Sequence, residues 1–235
     1  NNYREVIISD VTAKMRNEIL KYCYHNSIRV FMTPKISDII IRGSENIHLF
    51  DTPLLLANNK GLKLEQRFLK RMFDILGSIF GIILLAIPFI IIGLLIKLDD
   101  GGSVFYTQNR LTLNGKIFKI LKFRSMKLDS EMDNIARLSQ KEDERITTIG
   151  KFLRTTHIDE LPQIFKILMG DMSMVAPRPE RPEIAQTYEN SIPEFSYRLK
   201  IKAGLTGYAQ VYGKYRTTPY DKLKLDLFYI ENFSL

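Results

Sequence analysis

The chain has 235 residues, 45% of them apolar and 26% charged, which is enough for one large domain or two small ones and excludes disordered and collagen-like classes. Its 34 lysines and arginines exceed its 26 aspartates and glutamates, and the formal net charge of +8 favours an anionic partner: nucleic acid, a phosphate ligand or lipid head groups. A single cysteine, Cys23, excludes an internal disulfide and a cysteine metal site, and His25, His48 and His157 are too scattered to suggest a zinc cluster.

Residues 1–62 carry alternating α and β signals. Glu5 to Ile8 reads as a buried strand, Asp10 as a cap for a helix beginning near Val11, Ala13 to Tyr24 as that helix, and Ile28 to Met32 as the next strand. Strand, helix and strand make a βαβ unit, so a parallel pairing is expected. No glycine-rich phosphate loop lies between Ile8 and Val11, so a nucleotide does not follow from this shape, and a structural or oligomerising role does.

Ile75 to Ile96 contains no charged residue, and as a helix it would be about 33 Å long. Lys63, Arg67, Lys70 and Arg71 precede it; Lys97 and then Arg110, Lys116 and Lys119 follow it. Positive charge on both sides fits a hairpin with both ends on the cytoplasmic face better than a simple span. Pro88 removes one helical hydrogen bond and would supply the break. A kinked transmembrane helix is the competing reading. Gly77 and Gly81 form a G-x-x-x-G pair that permits close helix packing. The chain opens without methionine and stops in mid-pattern, and it reads as a piece of a longer protein.

Residues 99–235 are polar and basic. Val104 to Tyr106 and Ile117 to Phe123 read as strands around a turn at Asn114-Gly115. Lys122 and Arg124 share a parity, which would project both from one face about 7 Å apart. Glu131 to Ser139 is a polar helix candidate, and Ile149 to Leu153 leads to Arg154. Pro162 suits the first turn of a helix running to Met169, with Gly170 as its cap. Asp159 and Glu160 then sit at its N-terminus, where exposed amides and the macrodipole would keep an aspartate ionised. One acid could act as a nucleophile and the other as a metal ligand; a plain helix cap with a first-turn acid explains the pair equally. In Pro177-Arg178-Pro179-Glu180-Arg181-Pro182 the prolines hold Arg178 on a stiff extended backbone, a presentation suited to bidentate phosphate binding and also to an ordinary rigid loop. Ala203 to Gly213 reads as turn, strand, turn, with glycines that could admit a ligand or simply turn the chain. Tyr220 to Asn232 has helical spacing, with its aromatics expected in the core.

Seven ordered runs carry a resemblance: Lys70-Arg71-Met72-Phe73-Asp74-Ile75, Asp100-Gly101-Gly102, Lys122-Phe123-Arg124-Ser125-Met126, Asp159-Glu160-Leu161-Pro162-Gln163, Gly170-Asp171-Met172-Ser173, Pro177-Arg178-Pro179-Glu180 and Gly204-Leu205-Thr206-Gly207. Residues 64–235 closely resemble the bacterial sugar transferase family, the monotopic polyprenyl-phosphate glycosyl-1-phosphate transferases that begin capsule, exopolysaccharide and O-antigen assembly. The resemblance implies a mixed α/β fold: the tail of a Rossmann-like domain over 1–62, a re-entrant membrane helix over 63–98 broken at Pro88, and a catalytic domain over 99–235. It implies Asp159 as nucleophile, Glu160 as its partner with Mg²⁺ on the acid pair, and Arg154, Arg178, Lys122 and Arg124 as phosphate ligands. It implies transfer of a sugar-1-phosphate from a UDP-sugar to undecaprenyl phosphate, with release of UMP, on the cytoplasmic face of the bacterial inner membrane. Membrane lipids and a second copy of the chain are the expected further partners. Ile87 before Pro88, Ala176 before the Pro-Arg-Pro run and Lys202-Ala203 before Gly204 depart from the usual pattern. Two other classes compete: a non-catalytic scaffold of a polysaccharide assembly complex, and a basic nucleic-acid binder. The long uncharged stretch argues against the latter.

Overall fold

The computed structural model describes residues 4–57, 61–127, 143, 145–214 and 216–233, and the helix expected over Glu131 to Ser139 lies outside them. The chain divides after Ala57 into two units. The division falls before the expected Leu62 because Leu62 is itself buried, and the Gly61 backbone lies against the carbonyl of Lys200 in the second unit.

In the first unit, β1 (Glu5–Ile8) and β2 (Arg29–Met32) pair in parallel, with Val6 opposite Val30, and α1 (Ala13–His25) connects them. The expected βαβ unit is therefore present. Its cap is Thr12, whose hydroxyl accepts from the Met15 amide, rather than Asp10, which stands in a left-handed turn two residues earlier. The short helix α2 (Ile36–Arg42) is tied to α1 by a two-pronged pair between Arg16 and Asp38. An antiparallel hairpin follows, β3 (Glu45–Leu49) with β4 (Thr52–Leu56). A larger Rossmann-like sheet is not seen among the described residues.

The second unit begins with α3 (Leu64–Asp100). Helical structure continues through Pro88, so a re-entrant path would be a bend in one continuous helix rather than two helices joined by a loop. Proline deletes one donor and crowds the preceding turn, but the bonds on either side can keep the helix going. The helix is long and apolar enough to anchor a chain in a membrane. One face packs on the second unit: Asp74, Ser78 and Ile96 are buried, Gly77 meets Met174, Gly81 meets Ile164, and Gly93 meets Val104. The G-x-x-x-G pair thus serves close packing within the chain. The opposite face leaves Phe80, Ile83, Leu84, Ile87, Ile90 and Leu94 exposed.

Beyond α3, β5 (Phe105–Leu111) and β6 (Ile117–Phe123) form the expected antiparallel hairpin, turned at Asn114 and Gly115, both with positive φ. Then come α4 (Thr148–Thr155), a 3₁₀ turn at Ile158–Glu160, α5 (Gln163–Met169), β7 (Met172–Val175), α6 (Pro182–Ser191), a 3₁₀ segment Pro193–Lys200, β8 (Ala203–Thr206), α7 (Tyr208–Val211) and α8 (Pro219–Glu231). A helical turn rather than an extended turn follows β8. Strands β7 and β8 pair in parallel, Met172 opposite Ala203, across the crossover through α6. Phe118, Ile120, Ile167, Met172 and Ala203 form one buried cluster. Ile96, Phe123 and Leu153 form another, against which Phe89, Ile92, Val104, Ile149 and Ile158 pack. This second cluster joins the latter half of α3 to the turn that carries the acid pair.

Candidate active site

Asp159 and Glu160 lie in the 3₁₀ turn, entered through His157 in the left-handed conformation, and both are buried. Neither is a helix cap. Pro162 precedes α5 without a side-chain cap bond, and Glu160 spends its oxygens on other side chains. Lys122 Nζ donates to Glu160 Oε1 at 2.7 Å, Arg178 Nη2 to the same oxygen at 2.5 Å, and Arg178 Nη1 to Oε2 at 3.1 Å. The pair of bonds from one guanidinium is the fork geometry that arginine favours.

The three partners arrive from separate elements. Lys122 stands near the end of β6. Glu160 comes from the 3₁₀ turn. Arg178 comes from the loop after β7, with Pro177 and Pro179 buried on either side of it while 43% of its own side chain stays exposed. That exposed part of the side chain is open to a ligand. The loop is packed onto β8. A Cβ at Gly204 would lie 2.3 Å from the Ala176 nitrogen, and one at Gly207 would lie 2.3 Å from the Ala176 oxygen. These glycines therefore admit the chain's own backbone, and the ligand approach considered for them is not what they serve.

Charge at the two acids is shifted in opposite directions. Burial alone would raise Glu160, but the Arg178 bonds and the Lys122 charge outweigh it and hold its carboxyl at about 2. Asp159 is raised by burial and by the Glu160 charge, against the opposing pull of Lys122, Arg154 and His157. Asp159 lies ahead of α5 in a buried turn of its own, so its environment is set by burial and neighbouring charges as well as by any helix field. Burial lowers Lys122, opposed chiefly by Glu160, while Arg178 is raised by its bonds to Glu160 once these overcome burial.

Arg154, at the end of α4, acts on Asp159 through its charge. Arg124 lies just past the strand, where parity no longer sets its direction. The strand ends at Phe123, the Arg124 amide donates to the Val104 carbonyl, and its guanidinium lies against Gly102, where any Cβ would overlap it. For Mg²⁺ the donor set is narrow. Among the described residues no group of three or more Asp, Glu, His or Cys converges, and both Glu160 oxygens already accept from cations. A carboxylate offers about four lone-pair sites, so these bonds still leave Asp159 and Glu160 able to share an ion whose remaining ligands a substrate's phosphate would supply.

Sequence reasoning passed over the groups that tie α3 to α5 and β7. Lys70 donates to the Val175 carbonyl, Arg71 to those of Ile167 and Leu168, and Asp74 accepts from the Met174 amide and the Ser173 hydroxyl. Lys70 and Arg71 were read only as positive flanks of the apolar stretch, and Asp74 had no assigned role. Arg198 stood in no run.

The bacterial sugar transferase model matches residues 65–235. The chain belongs to that family. Among similar proteins, the "UDP-N-acetylgalactosamine-undecaprenyl-phosphate N-acetylgalactosaminephosphotransferase" of Aeromonas hydrophila is 40% identical over 171 residues, covering 72% of this chain and 40% of that protein. The "UDP-glucose:undecaprenyl-phosphate glucose-1-phosphate transferase" of Klebsiella pneumoniae is 33% identical over 236 residues, covering 98% and 49%. The "Undecaprenyl-phosphate galactose phosphotransferase" of Salmonella typhimurium is 35% identical over 228 residues, covering 90% and 47%. The chain spans about half the length of these relatives, or less.

Proposed function

We propose that this sugar transferase moves a sugar-1-phosphate from a UDP-sugar to undecaprenyl phosphate and so starts the assembly of a surface polysaccharide. The observation that carries the reading is a buried Asp159 beside a Glu160 clamped by Lys122 and Arg178. Burial makes the Asp159 carboxylate more basic than usual, hence more nucleophilic, while neighbouring cations favour its ionised form. An Asp159 oxygen attacks the phosphorus that bears the sugar. The bond to the bridging oxygen breaks, and UMP leaves with the electron pair. A phosphate oxygen of the lipid then attacks the same phosphorus, and Asp159 is released as a carboxylate. Arg178, Lys122 and Arg154 neutralise the charge that builds on the phosphoryl oxygens. Mg²⁺, when bound, would be held by Asp159 and Glu160 and would supply further charge neutralisation for the phosphoryl group.

For the membrane helix we propose a re-entrant path bent at Pro88. Both ends of α3 engage the same unit: the Gln66 amide group donates to the Phe233 carbonyl, and Ile96 is buried in the cluster with Phe123 and Leu153. A helix that crossed to the far side would carry one end away from that unit. Both flanks then lie on the cytoplasmic face of the inner membrane. Cysteines placed at the exposed positions 63 and 114, with Cys23 replaced by serine, should react with an impermeant reagent from the same side; opposite sidedness would establish a span.

The deciding experiment is UMP release from UDP-glucose, UDP-galactose and their N-acetylated counterparts, with and without undecaprenyl phosphate. The relatives' names include three different sugars, so the donor is read from this panel. A burst of about one UMP per site without lipid, and a sugar-phosphate mass on the Asp159 peptide, are expected. Release that requires both substrates, with no labelled peptide, would mean direct attack by the lipid phosphate.

A further inference from the structure

In the loop that presents Arg178, the four consecutive carbonyls of Pro177 to Glu180 are all occupied. Pro177 accepts from the Gly204 amide at 2.8 Å, Arg178 from Arg198 Nη2 at 2.8 Å, Pro179 from Arg110 Nη1 at 3.1 Å, and Glu180 from the Leu111 amide at 3.0 Å. Two of the four donors are backbone amides that any residue would supply. The other two are guanidinium groups, and Arg198 is the more deeply buried, with 6% of its side chain exposed.

Arg198 lies in the 3₁₀ segment between α6 and β8, over the Phe195 ring at 5.0 Å. Its Nη2 stands 2.8 Å from Oδ2 of Asp226 on α8, itself 1% exposed, and its Nη1 stands 3.5 Å from Glu180. A buried ion pair is a poor source of net stability, since desolvation offsets most of its attraction. What this pair does achieve is geometric. It runs from a fully buried helix position to the backbone oxygen of the residue whose guanidinium clamps Glu160.

We propose that Arg198, held by Asp226, is a positioning residue: it fixes the Arg178 carbonyl and thereby aims the Arg178 guanidinium at Glu160 and at the incoming phosphate. The inference rests on the functional reading above, through the role given to Arg178. Arg198 touches neither acid, so it acts through Arg178 alone. Nη2 meets both the carbonyl and Asp226 while Nη1 faces Glu180; lysine at 198 keeps the charge but has a single nitrogen and no planar guanidinium to serve all three at once.

The test uses the full chain in detergent or nanodiscs, with Arg198→Lys, Asp226→Asn, Arg178→Ala and the double variants Arg178→Ala/Arg198→Lys and Arg178→Ala/Asp226→Asn. Arg198→Lys should lower kcat about 10- to 100-fold, as small misplacements of a catalytic group do, with thermal unfolding still cooperative. In the Arg178→Ala background the same change should cost less than about threefold, because the group it aims is gone. A merely structural role would multiply the two losses, and multiplicative losses or an unimpaired Arg198→Lys would overturn the proposal. Asp226→Asn, which preserves shape, should show the same loss of effect in the Arg178→Ala background if Arg198→Lys folds poorly. If the wild-type chain releases no UMP from any donor, the functional reading fails. A structure of Arg198→Lys then decides the positioning by itself: a displaced Arg178 with broken Glu160 bonds supports it, and an unmoved loop refutes it.

Discussion

Two groups of charged side chains in the second unit are used differently. In the acid corner they meet one another: Lys122 and Arg178 both bond to Glu160. Under α3 they meet backbone: Lys70, Arg71 and Asp74 bond to carbonyls or an amide of α5 and β7. A side chain bonded to a side chain can exchange partners when a phosphate arrives, since the oxygens offered are of the same kind. A side chain bonded to a main-chain group instead pins a stretch of backbone in place, and a buried amide or carbonyl left unmet costs about 1–3 kcal/mol. The first arrangement is suited to chemistry and the second to architecture.

Asp159→Asn separates the two most sharply. The amide cannot act as the attacking group, so turnover should fall by about a thousandfold or more while the unfolding temperature holds, since the seam under α3 is untouched. Turnover near the wild-type level would remove Asp159 from the mechanism. Glu160→Gln comes next. Two cations lose a charged acceptor, and a loss of about a hundredfold is expected in UMP release, with a smaller drop in stability. Asp74→Ala attacks the other region. The Met174 amide and the Ser173 hydroxyl lose their acceptor, which should lower stability by about 2–3 kcal/mol, read by denaturant titration in detergent, while turnover per folded molecule is kept. Equal loss of turnover and stability in that variant would erase the distinction between the regions.

The smallest effect concerns pH. Burial pushes Asp226 up to about 6, against Arg198 and Lys222 and with the help of Glu180. A carboxyl raised in the folded state favours folding most below its unfolded value, and that contribution is lost as pH rises through about 6. Wild type should therefore lose about 1 kcal/mol relative to Asp226→Asn between pH 5 and pH 7. A pH-independent difference would show that Asp226 does not titrate there.

Much of this organisation is written locally and could be read before folding. The βαβ unit, the turn at Asn114-Gly115, α8 with its proline start and the acid pair all follow from short-range patterns. What was hidden depends on distant contacts. Parity placed Arg124 beside Lys122, but the strand stops at Phe123 and the guanidinium turns to Gly102. Asp159 was assigned to a helix field, whereas a left-handed His157 places it in a separate buried turn. Arg198 sits in Tyr197-Arg198-Leu199-Lys200, which resembles any amphipathic surface stretch; its burial is decided by Asp226, far along the chain. The hairpin of β3 and β4 contains Pro53 and an unbroken Leu54-Leu55-Leu56, which conceal the alternation that a strand normally shows.

Phe89 and Ile158 pack against one apolar cluster, one from the helix that would lie in lipid and the other from the turn of Asp159. On the proposed function, the height of the Asp159 carboxylate above the bilayer would therefore be a built-in dimension of the protein, like the height of a needle above a record. A lipid phosphate diffusing in the membrane plane would keep a nearly constant height, so its search for Asp159 would be confined to two dimensions. Long and short lipid tails would present their phosphates at that same level, and the acceptor could be recognised without measuring its tail.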